Sequence, residues 1–313
     1  VWLQGVGTVA PGLCVKSIMR FTKMQGVGND FVLVDEAEAD AGVDWNELAR
    51  QVCARRIGIG ADGLLVAGHA ADEVDLSMRM FNPDGSEDMC GNGLRCVALW
   101  AHRAGWTRGA CFVVATKEGL RRVEMLDTGE AQGLVRVDMG LPRFAPADIP
   151  FLGTSNLSTA DDSVLRSPLT VDGETYAIAS VNTGSTHTVI FGDAPSEDEF
   201  RRVSPIIETH PLFPERTSVL WATLTGQSSI QVRIWERGAG ETWGCGTGAC
   251  AVGVLARVLK LVPEGAVDVV SKGGTLRIDW PGAGQEIRMT GPAQVVFEGE
   301  VESDAADRHK PHG

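Results

Sequence analysis

The chain is expected to fold as an α+β protein of two pseudo-symmetric domains, each a mostly antiparallel, barrel-like sheet wrapped around a central helix. Three observations lead there. Two nearly matching segments, Cys90-Gly91-Asn92-Gly93 and Cys245-Gly246-Thr247-Gly248, each set a cysteine just before a glycine-flanked helix start. Their offset of 155 residues almost equals the 156 between Gly28 and Gly184, each of which leads into an apolar strand, so the halves read as a duplication. The helices that follow are apolar on nearly every side: from Ala249 to Leu259 the only charge is Arg257, and Leu94 to Ala104 is similar but less extreme. A helix of that kind must be surrounded by protein.

The elements follow in order from hydrophobic periodicity. Phe31 to Val34 reads as a buried strand. Trp45 to Arg56 reads as an amphipathic helix with Trp45, Leu48, Ala49, Val52 and Cys53 on its apolar face. Strands are expected at Gly63 to Ala67 and Leu76 to Phe81, a helix from about Asn92 to Ala104, then strands near Cys111 to Ala115, Arg121 to Met125 and Val135 to Met139. Pro142 to Pro168, rich in Pro, Gly, Ser, Thr and Asp, reads as a connector. Beyond it the order repeats, with strands near Tyr176 to Val181 and Thr188 to Phe191, a helix over Glu197 to Glu208, and strands at Val219 to Leu224 and Ile230 to Trp235. The second buried helix runs to about Leu261, and strands near Val267 to Val270, Leu276 to Asp279, Ile287 to Met289 and Val295 to Glu298 follow. The expected division is a leader over residues 1–18, a first domain over 19–140 that regains a returning strand at 292–301, a second domain over 141–291, and a tail at 302–313.

Composition narrows the function. Length near 313 residues suits about two domains, and 43% hydrophobic with 22% charged residues is ordinary for a folded globular chain. A net charge of −13 argues against a nucleic-acid partner, which needs a clustered basic face. No run of about 18 apolar residues suggests a membrane span. The seven cysteines form no Cys-x-x-Cys pair and have few histidine neighbours, which argues against zinc and for reduced thiols in the cytoplasm. The expected partner is a small molecule, with a homodimer left open.

The two Cys-Gly segments carry the chemistry. Glycine lets a backbone approach a ligand closely, and the first N–H groups of a helix lack internal partners, so Gly91, Asn92, Gly246 and Thr247 offer a cradle for an anion. A thiol at a helix start can be acidified enough to ionise near neutral pH. Two thiols facing across one ligand can act as opposed base and acid, which suits inversion at a carbon next to a carboxylate. No motif for pyridoxal phosphate or a metal is apparent, so helix-end amides must stabilise the charge that builds on the carboxylate. Cys96 and Cys250 lie inside the helices and, with Cys53 and Cys111, are expected to pack in the core.

Longer runs around these segments carry a resemblance. Phe21-Thr22-Lys23-Met24-Gln25-Gly26-Val27-Gly28-Asn29-Asp30-Phe31, Phe81-Asn82-Pro83-Asp84-Gly85-Ser86-Glu87 before Cys90, and Trp235-Glu236-Arg237-Gly238-Ala239-Gly240-Glu241 before Cys245 closely resemble diaminopimelate epimerases, over Met19 to about Glu300. The resemblance implies a cofactor-independent isomerase that interconverts LL- and meso-diaminopimelate for lysine and peptidoglycan precursors. It implies Cys90 as the base toward the LL isomer and Cys245 as the acid. Asn29 and Asn92 would hold the reacting end with the helix amides, while Asn82, Glu236 and Arg237 would read the distal end. His187 would help set thiol protonation, and Gly63 would adjoin the substrate.

Three departures from the family pattern stand out. Gly184-Ser185-Thr186-His187 has Ser185 in place of a common asparagine, Thr217-Ser218 has Ser218 in place of another, and the loop between Glu87 and Cys90 is one residue shorter than is common. Both serines fall where the distal end is read, and a serine reaches less far than an amide. A racemase for another amino acid is therefore the rival within enzymes, and a non-catalytic amino-acid-binding protein the rival outside them. Gly58-Ile59-Gly60-Ala61-Asp62-Gly63 fits a dinucleotide-loop pattern, but a helix precedes it and a strand follows, the reverse of a phosphate loop.

Overall fold

Each half of the chain begins with a hairpin that buries its second strand on both faces. The computed structural model describes residues 17–70, 74–130, 132–153 and 165–303. In the first half β1 (Ser17–Gly26) and β2 (Asn29–Asp35) pair antiparallel. In β2, Phe31 and Leu33 face one apolar cluster while Val32 and Val34 face another, so a strand of bulky apolar residues is sandwiched rather than half-exposed. The chain then crosses over through α1 (Trp45–Cys53) to β3 (Gly63–His69), which pairs parallel with β2. Asp44 caps α1 by accepting from the Glu47 N–H at 3.1 Å. β4 (Leu76–Phe81) and the short β5 (Glu87–Asp88) lead to α2 (Gly91–Arg103), and β6 (Cys111–Thr116), β7 (Gly119–Asp127) and β8 (Gln132–Asp138) close the half.

The second half repeats this pairing. After β9 (Leu165–Val171), β10 (Glu174–Asn182) and β11 (Thr186–Phe191) form the hairpin, α3 (Glu197–Glu208) crosses over, and β12 (Ser218–Gly226) pairs parallel with β11. β13 (Ser229–Glu236) and β14 (Gly240–Thr242) lead to α4 (Gly246–Val258), followed by β15 (Val267–Ser271), β16 (Gly274–Asp279) and β17 (Arg288–Ser303). The parallel pairs β4 with β6 and β13 with β15 also correspond. Register makes the equivalence residue-specific. His187 pairs with Ser218 as Phe31 pairs with Gly63, and Val219 pairs with Trp235 as Leu64 pairs with Phe81. Asn29 thus corresponds to Ser185, Asp62 to Thr217, Asn82 to Glu236, Asn92 to Thr247 and Arg95 to Cys250.

Helices α2 and α4 are the centres of the halves. α2 packs against β1, β2, β3, β4, β7, β8 and β17, and α4 against β10, β11, β12, β15 and β16. One apolar cluster runs through both helices, while α1 and α3 each cover a smaller one outside the sheet. β8 and the first part of β17 pair with each other antiparallel, from Asp138 with Arg288 to Gln132 with Gln294, and join the halves. The rest of β17 returns to β1.

The structure amends several expectations. β1, with Met19, Phe21 and Met24 buried, had no counterpart in the periodicity reading, because Arg20, Lys23 and Gln25 break its apolar run. Its start at Ser17 and the end of β17 at Ser303 take in residues expected in the leader and the tail; residues 1–16 and 304–313 lie outside the described residues. Ile287 to Met289 and Val295 to Glu298 belong to one long strand, since Gly291 and Pro292 interrupt hydropathy but not pairing. The connector ends in β9, at Leu165. Cys111 is exposed, because it opens β6 at the sheet margin with its side chain outward. No helix among the described residues is long and apolar enough to cross a membrane.

Candidate active site

The two cysteines are N-caps with nearly the same backbone. Cys90 before α2 has φ −135° and ψ 118°, and Cys245 before α4 has φ −132° and ψ 115°. The extended conformation turns each side chain back over the first turn of its helix. The Gly248 N–H donates to Cys245 Sγ at 3.4 Å, and Thr247 Oγ1 lies 3.5 Å from the same sulfur. Backbone N–H groups of Asn92 and Gly93 face Cys90, whose thiol also lies 3.5 Å from Asn29 Oδ1.

The two helix starts converge. A Cβ on Gly246 would lie 3.2 Å from Asn92 Oδ1 and 3.3 Å from Met289 Cε, and one on Gly91 would meet Met289 Cε at 2.7 Å. The absence of side chains at both positions brings the first turns of α2 and α4 together around Met289. Unpaired N–H groups from two helices therefore point into one region.

Glu236 ends β13. Its carboxylate accepts from Thr242 Oγ1 at 2.5 Å, interacts with the Cys245 thiol and acts electrostatically on Cys90 as well. Its carboxylate therefore lies beside the Cys245 thiol. Burial holds the Glu236 carboxyl above its usual range, partly offset by the Thr242 and Cys245 contacts. Burial pushes the Cys90 thiol up to about 11, with the Asn92 and Gly93 amides pulling the other way. Cys245 is driven well above its ordinary value, first by burial and then by the Glu236 charge. Both thiols are thus held above their ordinary value, and the Glu236 charge opposes the thiolate at each.

A polar chain supports Cys90. Asn29 Nδ2 donates to Asp62 Oδ2 at 2.8 Å, Asn92 Nδ2 donates to Asn29 Oδ1 at 3.3 Å, and Arg95 Nη2 donates to Asn92 Oδ1 at 2.9 Å. Arg55 pairs with Asp62 at 2.5 Å and with Asp30 at 2.7 Å. Asp62 and Arg95 were absent from the expected site. The available signals were a carboxylate inside the glycine loop and a charge inside an otherwise apolar helix.

The second polar group lies on β11 and β12. His187 is fully buried, and Ser185 Oγ lies 3.0 Å from its Nε2, while Nδ1 has no partner. Burial, and then the Arg237 charge, press the His187 pKa down to about 3, so the ring is neutral. Ser218 Oγ accepts from the Arg237 N–H at 3.1 Å and so holds the Glu236-Arg237 turn. The Arg237 guanidinium is exposed and donates to the Glu215 carbonyl at 3.1 Å. Asn82 Nδ2 donates to Ser86 Oγ at 3.0 Å, closing its own turn. Gly63 pairs with Phe31 next to Asp62, and a Cβ there would meet Met80 Cε at 2.7 Å.

Known proteins match most of the chain. The family model for diaminopimelate epimerase matches residues 21–145 and 179–296. A diaminopimelate epimerase of Desulforudis audaxviator is 44% identical over 282 residues, covering 90% of this chain and 98% of its own. One from Moorella thermoacetica is 42% identical over 287 residues, covering 91% and 100%. Among solved structures, a hydroxyproline epimerase from Agrobacterium vitis superposes with a TM-score of 0.66 at 14% identity, covering 93% of this chain and 94% of its own. A PhzF-family phenazine biosynthesis protein of Bacillus anthracis does so with a TM-score of 0.63 at 16% identity, covering 91% and 99%. These distant structures share the two-domain, pseudo-symmetric α+β fold. The repeat, the paired cysteine caps and the close relatives together make this chain an isomerase of the diaminopimelate epimerase family.

Proposed function

We propose that the chain interconverts LL- and meso-2,6-diaminopimelate by a two-thiol mechanism. The observation that carries this reading is that two equivalent thiols, at two converging helix starts, share one carboxylate, Glu236. The substrate's reacting carboxylate sits on the N–H groups of Gly91, Asn92, Gly246 and Thr247, and its ammonium meets Glu236. Cys90 as thiolate takes the α-proton of the LL isomer and becomes a thiol. The electron pair of the broken C–H bond passes into the carboxylate, where the helix amides stabilise it. Cys245 gives its thiol proton to the opposite face and becomes the thiolate, and the reverse reaction exchanges the roles. Arg237 is the group suited to the distal carboxylate, since a guanidinium can present a two-bonded fork. Ser185 and Ser218, which bond His187 and the Arg237 N–H, keep this end in place and need not touch substrate. The two buried or half-buried reduced thiols suit the cytoplasm.

Incubation with diaminopimelate in deuterated water tests the reading. Deuterium should enter one α-carbon, with LL and meso forms resolved by chiral chromatography. Exchange into lysine or glutamate but not into diaminopimelate would overturn the substrate assignment.

A further inference from the structure

The amide of Asn29 is turned by the group behind it. Asp62 Oδ2 accepts from Asn29 Nδ2 at 2.8 Å and from the Asp30 N–H at 3.1 Å, and Asp62 Oδ1 is ion-paired with Arg55 at 2.5 Å. A carboxylate held in this way only accepts, so it draws the amide nitrogen of Asn29 away from the thiols and leaves Oδ1 facing them. The other end of the polar chain agrees. Arg95 only donates and holds Asn92 Oδ1 at 2.9 Å, which leaves Asn92 Nδ2 to donate to Asn29 Oδ1 at 3.3 Å. The orientation of the Asn29 amide is therefore dictated from both sides.

That orientation acts on Cys90. Its thiol donates to Asn29 Oδ1 at 3.5 Å, and a hydrogen bond made by the neutral form of an acid favours that form. An ionised Cys90 would face the same oxygen with no proton to give it. Burial and the Glu236 charge from β13 also oppose the thiolate, while the N–H groups of Asn92 and Gly93 and the Arg95 charge, all on α2, favour it. The second half has no counterpart of this amide. Ser185 and Thr217 stand at the places of Asn29 and Asp62; Ser185 Oγ lies 3.0 Å from His187 Nε2, and Thr217 Oγ1 lies 3.0 Å from Thr188 Oγ1. Beside Cys245 stand Thr247 Oγ1 and the Gly248 N–H instead.

We propose that Asp62 is a positioning residue: it fixes the Asn29 amide with its oxygen toward Cys90, so that the site without substrate keeps this thiol protonated. The proposal rests on the two-thiol reading for the use made of Cys90, and its test stands apart from that reading because no substrate is added. The pH dependence of iodoacetamide alkylation is followed separately at Cys90 and Cys245 by peptide mass spectrometry in the wild type, Asp62→Ala, Asp62→Asn, Asn29→Ala and the double variant of Asp62→Ala with Asn29→Ala. In Asp62→Ala the amide is free to turn, and the Cys90 midpoint should fall by about 0.5 to 1 pH unit, the worth of one ordinary hydrogen bond, while that of Cys245 stays in place. Asn29→Ala should lower it by a similar amount. Asp62→Asn removes the charge but keeps an acceptor for Asn29 Nδ2, since the exposed Arg55 retains Asp30 as a partner, and its Cys90 midpoint should stay near wild type. The double variant should match Asn29→Ala, because Asp62 acts through the amide. An unmoved or raised Cys90 midpoint in Asp62→Ala, an equal fall at both cysteines, or falls that add in the double variant overturn the proposal, the last by assigning the effect to the Asp62 charge. Should Asp62→Ala fail to fold by circular dichroism, the other two single variants decide: an unmoved or raised Cys90 midpoint in Asn29→Ala, or a fall of about 0.5 unit or more in Asp62→Asn, overturns it.

Discussion

The Cys90 and Cys245 sides share a backbone plan and differ in charge. Around Cys90 stand Asn29, Asn92 and the Arg95 cation; at the equivalent places around Cys245 stand Ser185, Thr247 and Cys250. Glu236, which corresponds to Asn82 in the first half, adds its negative charge most strongly at Cys245. The two helix caps thus share their backbone and differ in the polar and charged groups set around the thiol. In the proposed two-thiol mechanism, duplication would supply the two opposed proton carriers, and the divergence around them would let one serve as base and the other as acid.

Removing either member breaks the comparison outright. Cys90→Ala or Cys245→Ala should lower turnover by about 10²- to 10⁴-fold or more, the usual worth of a general acid or base, as measured by α-proton exchange. Retention of full activity in either variant would show that the thiol it lacks does no chemistry.

A change at Glu236 should sharpen the asymmetry. A neighbouring anion disfavours a thiolate, so Glu236→Gln should lower the alkylation midpoint of both thiols, that of Cys245 more than that of Cys90. Loss of the ammonium partner should also cost roughly tenfold or more in KM, since a charged hydrogen bond is removed. A Cys245 midpoint that rises or stays in place contradicts the assigned electrostatics. The wild-type pH profile follows the same sign: kcat/KM should increase as pH rises from 6 toward 9 by roughly tenfold per unit at first, because the free thiols lie above neutral pH and one must lose its proton.

The smallest expected effect concerns the joint between the halves. The hairpin tip at Val27 packs against Trp243-Gly244 and Gly273, and a Cβ on Gly273 would lie 1.8 Å from the Val27 carbonyl oxygen. Gly273→Ala should destabilise the fold by about 1–3 kcal/mol, seen as a lower Tm, unless the hairpin shifts away. An unchanged Tm would mean that the joint yields easily.

Much of the fold could be read from local pattern. The helix over Glu197 to Glu208 is legible from periodicity, and the structure buries Phe200, Val203 and Ile207 on one face and caps its start with Ser196. β1 was not, since its worth lies in pairing with β2 and with β17, whose partners run from position 294 to 303. The cysteines and helix-end residues of the site were equally legible, because capping is local. The proximity of Glu236 to Cys245 was not legible, as its side-chain direction depends on the β13–β14 turn and on Thr242.

By itself the sequence determined the duplication, the two buried helices and the pair of thiols at their starts, all set by spacing and polarity within a few residues. Only the tertiary structure decided which polar and charged groups surround each thiol. Glu236, Arg95 and Asp62 are brought from three separate stretches of the chain to the surroundings of the two thiols. Burial and through-space charge act over distances that have no counterpart in chain separation, so their balance becomes visible only once the halves are folded together.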